Sequence, residues 1–334
     1  MIIVRVPFRI SFFGGGTDFP EFYKEYGGCV LSTTIDKYCY ISLRHLPPFF
    51  EYKNQFTYSK IERFNNPAEL QHPLVRAALT LIPTERLQLA YDADLPAGSG
   101  IGSSSSFAVG LLQGLHALRG ELPDRNTLAK EAIYLERTYL QEAGGVQDQY
   151  EAAFGGFNKI DFTDSGAVFH PVFLPDDKKT LLEENLFLLF TGFTRFSGEI
   201  SAEQTHDIAE NTSTLLKMKA LTDTALQLLE CGKFDDFGSL LDLSWNMKRT
   251  LSRRISNPQI DHLYQTAKAA GAIGGKIIGA GGGGFMLLYV PKENQPRFLQ
   301  QMKTHYFVPF HFSPSGTEIL HNDTQTIESS KMVD

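Results

Sequence analysis

Two periods of apolar residues run through this chain. Short continuous runs at Ile2–Val6, Tyr38–Leu43 and Leu87–Tyr91 read as strands. Leu74–Leu81, Ser103–Arg119 and Arg125–Gln141 carry apolar residues at helical spacing, and Gly155–Ile160 and Val168–Phe173 return to strand-like runs. In the second of those helices, Phe107, Leu111, Leu112, Leu115 and Leu118 share one face. A polar, proline-bearing segment at Pro175–Lys179 interrupts the pattern, and a boundary just before it gives two domains, 1–174 and 175–334. The second half predicts a strand at Leu186–Phe190 and helices at Ala202–Leu229 and Phe234–Leu251. Another helix starts at Asn257 with Pro258 in its first position and stops at Gly271. A strand (Phe285–Val290), a helix (Pro296–His305) and a last strand (Val308–Ser313) follow. Strands and helices without strict alternation predict α+β in both domains, and 334 residues suit two domains better than one.

The helix at Ser103 follows the most distinctive stretch, LPAGSGIGSSSSF at Leu95–Phe107. Gly98, Gly100 and Gly102 allow the backbone to curl closely round a ligand. A serine-capped helix start then points free N–H groups and the positive dipole end at negative charge. Serine hydroxyls can also touch phosphate oxygens or a magnesium ion that bridges them. An ordinary capped helix needs a serine but not three alternating glycines, so the stretch predicts an anion-holding loop. A G-x-x-x-x-G-K-[ST] loop is absent. The one GxGxxG match, Gly279, Gly281 and Gly284, leads into the strand-like Phe285–Val290 where a dinucleotide site requires a helix. It predicts a second glycine turn beside a ligand, not an NAD site.

Composition narrows the partners. With 42% hydrophobic and 21% charged residues the chain reads as a soluble globular protein, and its net charge of −7 argues against nucleic acid or an anionic membrane surface. Cys29, Cys39 and Cys231 are spaced for neither a disulfide framework nor a metal site, which suits a reducing cytoplasm. MIIVRVPFRI has basic residues inside its apolar run and no small-residue cleavage site, so it is not read as a signal peptide. No run approaches the ~18–20 apolar residues of a membrane span. The expected location is cytoplasmic.

Three further stretches bear chemistry. In PFRISFFGGGTDF, Arg9 sits in an apolar strand where a cation needs a partner. Gly14–Gly16 turn the chain there, and Asp18 follows as either a functional acid or turn punctuation. In LERTYLQEAGGVQDQYEAAFGG, Glu136 lies in a helical pattern that Gly144–Gly145 interrupt. Asp148 stands in the otherwise uncharged VQDQ. Alone, Glu136 reads equally as a solvated surface acid and Asp148 as a helix cap. The last stretch is GGKIIGAGGGG, with Lys276 beside its glycines.

Together these stretches resemble the galactokinase, homoserine kinase, mevalonate kinase and phosphomevalonate kinase (GHMP) superfamily. PFRISFFGGGTDF matches its N-terminal substrate motif, Pro96 to Ser104 its central P-x-x-x-G-[LI]-G-S-S motif, and Lys276 to Gly284 its C-terminal K-I-x-G-A-G-G-G-G motif. The resemblance implies a small-molecule kinase using ATP and Mg2+, with a ribosomal protein S5 domain 2-like N-terminal domain and a ferredoxin-like C-terminal domain. Its active site would lie in the cleft between them. Pro96, Gly98, Ser99, Gly100, Ile101, Gly102, Ser103, Ser104 and Ser105 would wrap the ATP phosphates, with Ser104 and Glu136 as magnesium ligands. Asp148 would act on the acceptor hydroxyl as general base or polariser, accompanied by Arg9. Asp18 would grip sugar hydroxyls, and Gly14, Gly15, Gly16, Thr17, Gly281 and Gly282 would line the substrate.

Where galactokinases carry Gly-Glu-His before Thr-Asp, this chain has three glycines, which opens the pocket and argues against galactose. The forms FFGGGTDFPEFY, GGVQDQYEAAFGG and TGFTRFSGEI are most similar to bacterial D-glycero-D-manno-heptose kinases, which act on the anomeric hydroxyl of the 7-phosphate. The distal phosphate of such an acceptor would need cations, and Arg195 and Lys248 or Arg249 are the candidates. KRTLSRR reads equally as a solvated helix end. L-Fucose and other hexose 1-kinases share much of the pattern. A non-catalytic sugar sensor is the rival from another class, but Arg9, Ser104, Glu136 and Asp148 are all intact. A homodimer is left open.

Overall fold

The computed structural model describes residues 1–194 and 198–323. Its framework is two long strands, β1 (Ile2–Phe13) and β2 (Gly28–His45), paired antiparallel. Sequence patterning shows only the first part of β1, because Arg9 and Ser11 break the apolar run although both are buried. The sheet built on this pair takes the order 318–322, β1, β2, 87–93, 54–57 and 61–64. Strand Phe157–Thr163 also pairs with β2 and carries Gly166–Pro171 beside it. A second sheet of four strands has the order 307–308, 186–190, 285–289 and 274–277.

The expected Val308–Ser313 strand is two strands in different sheets. Phe307–Val308 joins the second sheet, whereas Phe312–Ser313 pairs with Ile35 and Thr34 of β2. Pro309 lies between them and has no N–H to donate to a ladder, so one continuous strand cannot form. Glu318–Asn322 then pairs with β1. A cut at 174/175 therefore leaves the last strands of the first sheet on the far side of it.

The helix Ser103–Leu118 packs against β1 and β2, with Phe107, Leu111, Leu112 and Leu115 buried in the larger apolar core. The helical pattern at Arg125–Gln141 is α-helical over Arg125–Ile133 and a π-helix over Tyr134–Tyr139. Ala202–Leu229 divides into Gly198–His206 and Ile208–Glu230 at Asp207. A short helix not predicted, Gln147–Phe154, starts soon after Gly144–Gly145 and lies on β1 and β2. Trp245, Tyr264, Phe298, Met286 and Leu288 form a second core around the smaller sheet. Among the described residues no helix is long and apolar enough to cross a membrane.

Candidate active site

The glycine-serine stretch becomes an irregular loop followed at once by the helix Ser103–Leu118. A serine cap was expected. Instead Gly102, in left-handed conformation at φ 77°, is the cap, and no side chain bonds the first-turn amides. Those N–H groups keep their donor capacity and the dipole end faces outward. Pro96 and Gly98 are exposed, and Gly100, Gly102 and Ser103 are half-buried. Ser104 is exposed, with its hydroxyl in hydrogen-bonding reach of the Glu136 carboxyl, while Ser105 is buried. Ser99 is buried, its hydroxyl donating to Pro96 O at 2.6 Å, and Ile101 is buried with its carbonyl accepting from Arg9 N.

Arg9 crosses from β1 to the new short helix. Its Nε and Nη2 donate to Asp148 Oδ1 and Oδ2 at 2.8 and 2.9 Å, and Nη1 donates to Gly100 O at 2.6 Å. This is a two-pronged clamp, the strongest geometry for a guanidinium and a carboxylate. The Arg9 side chain is 4% exposed but that of Asp148 is 26% exposed, so the carboxylate looks out while its cation is sealed beneath. A Cβ on Gly102 would stand 3.4 Å from the Asp148 carboxyl group. The open helix start and the clamped carboxylate are thus immediate neighbours.

Asp18 is buried, and its oxygens accept from Gly16 N at 2.9 Å and Gln147 N at 3.2 Å. It ties the Gly14–Gly16 turn to the first residue of the helix that carries Asp148. Burial, then the Asp148 charge, pushes its carboxyl above the usual range. Thr17 is fully buried and spends its hydroxyl on Gly14 O, Cys29 O and Cys29 N, which closes the turn. Gly15 is half-buried, and a Cβ there would be in ordinary contact with Ser11 Oγ at 3.7 Å and Gln147 Nε2 at 4.0 Å.

Glu136 sits on the π-helix and is buried, not solvated. Its Oε2 accepts from Ser105 Oγ at 2.8 Å and Gln149 Nε2 at 2.6 Å, while Oε1 is buried without a partner. Burial raises this carboxyl to about 7. An orphaned carboxylate oxygen next to the serine hydroxyls of a helix start suits a hard cation. Among the described residues no group of three or more His, Cys, Asp or Glu side chains could hold a metal. A magnesium held by one hydroxyl, one carboxylate and phosphate oxygens needs no such group.

The third glycine stretch closes the site from the second sheet. A Cβ on Gly100 would stand 2.3 Å from Ile278 O, and one on Gly284 would stand 2.2 Å from Ser99 O, so the two loops touch backbone to backbone. Lys276 Nζ donates to Ser11 O and Phe12 O at 2.8 Å each, lacing the second sheet to β1. Burial and two neighbouring cations, Lys248 and Arg9, lower Lys276 well below an ordinary lysine. Gly281 and Gly282 pack on the Ile255 backbone, where Gly282 N donates to Ile255 O.

The KRTLSRR segment splits between two environments. Lys248 is buried and donates to Gly279 O, lowered to about 8 by burial, with Arg9, Asp18 and Asp148 as its charged neighbours. Arg249 instead pairs with Asp261 at 3.0 Å on the outside. Arg195 lies outside the described residues. Sequence reasoning missed Ser32, Glu151 and Gly145. A Cβ on Gly145 would overlap Asp18 Oδ2, a requirement visible only once the two segments are brought together.

Comparisons with known proteins identify the family. The family model for the GHMP kinases N terminal domain matches residues 72–156, and that for GHMP kinases C terminal matches 225–307. A D-glycero-alpha-D-manno-heptose 7-phosphate kinase of Campylobacter jejuni is 29% identical over 334 aligned residues, covering 95% of this chain and 98% of its own. An L-fucokinase/L-fucose-1-P guanylyltransferase of Bacteroides fragilis is 31% identical over 61% of this chain and 22% of its own. The crystal structure of a D-glycero-D-manno-heptose 1-phosphate kinase from Bacteroides thetaiotaomicron superposes with a TM-score of 0.77 at 22% identity, covering 96% of this chain and 99% of that one. Both halves of one family thus match in order, on a shared fold, and the chain belongs to the GHMP kinases: it is a phosphotransferase.

Proposed function

We propose that this enzyme is an ATP-dependent sugar kinase that phosphorylates the anomeric hydroxyl of D-glycero-D-manno-heptose 7-phosphate. The product would be the 1,7-bisphosphate, a precursor for nucleotide-activated heptose. The observation that carries the phosphoryl-transfer part is the adjacency of the open helix start at Gly102 to the Arg9-clamped Asp148. The sugar is suggested by the heptose 7-phosphate kinase relative, which aligns over 95% of this chain.

The loop amides from Gly98 to Ser105 hold the ATP phosphates, and the acceptor hydroxyl lies against Asp148. Its oxygen attacks the γ-phosphorus as the bond to the bridging β–γ oxygen breaks, and ADP departs with that electron pair. Asp148 takes or polarises the hydroxyl proton, and the two parallel bonds from Arg9 hold the carboxylate aimed. Such a transfer depends mainly on positioning and on neutralising charge at the transferring oxygens. Ser104 and Glu136 are the residues that would hold magnesium, which supplies that neutralisation when bound. Lys248 adds a cation from the other side of the cleft. Asp18 fixes the turn and helix that frame the acceptor.

A hexose 1-kinase acting on L-fucose is the second reading, favoured by the fucokinase relative. A coupled ADP-release assay across heptose 7-phosphate, heptose, fucose, mannose and galactose separates the two. Preference for the phosphorylated heptose should come with dependence on Arg195. Arg195→Ala should cost ~1.5–3 kcal/mol of charge-assisted contact, raising the Michaelis constant of that acceptor roughly ten- to a hundred-fold. Equal losses on unphosphorylated sugars would overturn the distal-phosphate reading, and a preference for fucose would overturn the heptose one.

A further inference from the structure

The helix Gln147–Phe154 presents more to β1 and β2 than Asp148. Gln147 and Glu151 lie one turn apart on it, and both are buried. The helix packs on β1, which carries Arg9 and Ser11, and on β2, which carries Ser32, the two serines being register partners in the ladder. Ser32 Oγ donates to Glu151 Oε1, whereas Glu151 Oε2, Ser11 Oγ and Gln147 Oε1 are buried without partners. Helices Ser103–Leu118 and Arg125–Ile133 also pack on this helix, and their buried residues are uncharged. The charges acting on Glu151 are therefore Arg9, which favours its anion, and Asp148, which opposes it.

A carboxyl sealed in such a layer costs free energy that an alanine or leucine there would not. Phosphoryl transfer as described above makes no use of it. We propose that Glu151 is a positioning residue, setting through Arg9 how firmly Asp148 is held toward the acceptor. This rests on the reading of Asp148 as the group that faces the acceptor hydroxyl.

Burial raises the Glu151 carboxyl to about 8. Below that pH it keeps its proton, and Arg9 has one anionic partner, on which it spends two parallel donors. The neutral form also carries an O–H, which suits a layer whose orphaned atoms include an acceptor, Gln147 Oε1. Once Glu151 ionises, two anions compete for one guanidinium and the grip on Asp148 slackens. The turnover number then falls on the alkaline side, while the Michaelis constant for ATP stays level.

The test is kcat and KM from about pH 6 to about pH 10, the span over which such a group reports itself, for wild type, Glu151→Gln, Glu151→Ala and Asp148→Asn. Glutamine has the shape of the neutral acid and cannot ionise. It should restore the neutral-pH turnover that alanine loses, and it should lack the alkaline decline. Lys248, lowered to about 8, titrates in the same range, so Lys248→Met is carried as a further arm. An alkaline limb unchanged in Glu151→Gln but abolished in Lys248→Met overturns the proposal. A loss in Glu151→Ala that falls on the KM for ATP and spares kcat does so too. If Asp148→Asn retains its rate, the underlying reading of Asp148 falls instead. If Asp148→Asn is inactive and the Glu151→Gln limb persists, only the role of Glu151 falls.

Discussion

Gly100→Ala asks whether the two glycine loops must touch. Gly100 has φ +82°, a region that costs an alanine about 1–2 kcal/mol. The added Cβ would stand 2.3 Å from Ile278 O, against a floor of 3.0 Å for real Cβ contacts, so one loop must retreat by at least roughly 0.7 Å. The same residue accepts the third Arg9 hydrogen bond through its carbonyl, so the retreat disturbs the clamp on Asp148 as well as the phosphate loop. Misplacement of reacting groups by about 1 Å can cost ~10²-fold in rate. We therefore expect kcat to fall on the order of ten- to a hundred-fold, a raised KM for ATP, and a melting temperature lower by a few degrees. The control is Gly15→Ala, where φ is not positive and the nearest atom is 3.7 Å away. It should fold normally, keep its ATP affinity and affect only the acceptor. Steady-state kinetics with ATP and acceptor varied separately, beside thermal melts, read both variants. A Gly100→Ala enzyme within about threefold of wild type in kcat/KM, hence under 1 kcal/mol of lost transition-state binding, would refute the requirement for close approach.

Asp148→Asn should lower turnover by ~10²–10⁴ with ATP affinity changed only a few-fold, and retention of more than about a tenth of the rate would remove Asp148 as the base. Ser104→Ala and Glu136→Gln should each raise the magnesium concentration needed for half-maximal rate, and identical magnesium titrations would exclude them as ligands. The folded protein holds the Glu151 proton up to about pH 8, whereas the unfolded chain releases it near its ordinary value of 4.5. That contribution to stability is complete below the lower value and lost as pH rises through the higher one. The melting temperature of Glu151→Gln should therefore gain on wild type steadily across that window, and a constant difference would show that Glu151 is ionised in the fold.

Much of this site was legible before the fold. Alternating glycines before serines marked an irregular loop opening a helix, and an arginine in an apolar strand announced an ionic partner, which proved to be the partly exposed Asp148. Glu136 was ambiguous, because helical spacing cannot tell a solvated face from a π-turn that rolls a carboxyl inward. The cap was misread for a related reason: a left-handed glycine leaves the serines as first-turn residues, and composition alone does not fix which residue caps. Glu151 and Ser32 were invisible, since a lone acid and a lone serine acquire meaning only when β2 and a short helix meet. The strand expected at Val308–Ser313 failed on Pro309, whose missing donor divides one apolar run between two sheets.

The return of Glu318–Asn322 to the side of β1 bears on how the protein is made. During synthesis β1, at Ile2–Phe13, leaves the ribosome long before the strand that covers its outer edge, Glu318–Asn322. At ~5–20 residues per second this interval is roughly a quarter of a minute to a minute. Throughout it, a strand whose Ile2, Val4 and Val6 are destined for full burial presents an unpaired edge, the kind of surface that recruits other chains. A truncated chain ending near residue 174 would keep that edge open permanently. Recombinant yield should therefore depend on chaperone supply and translation speed, and a soluble N-terminal half should require the missing strand to be supplied as a separate peptide.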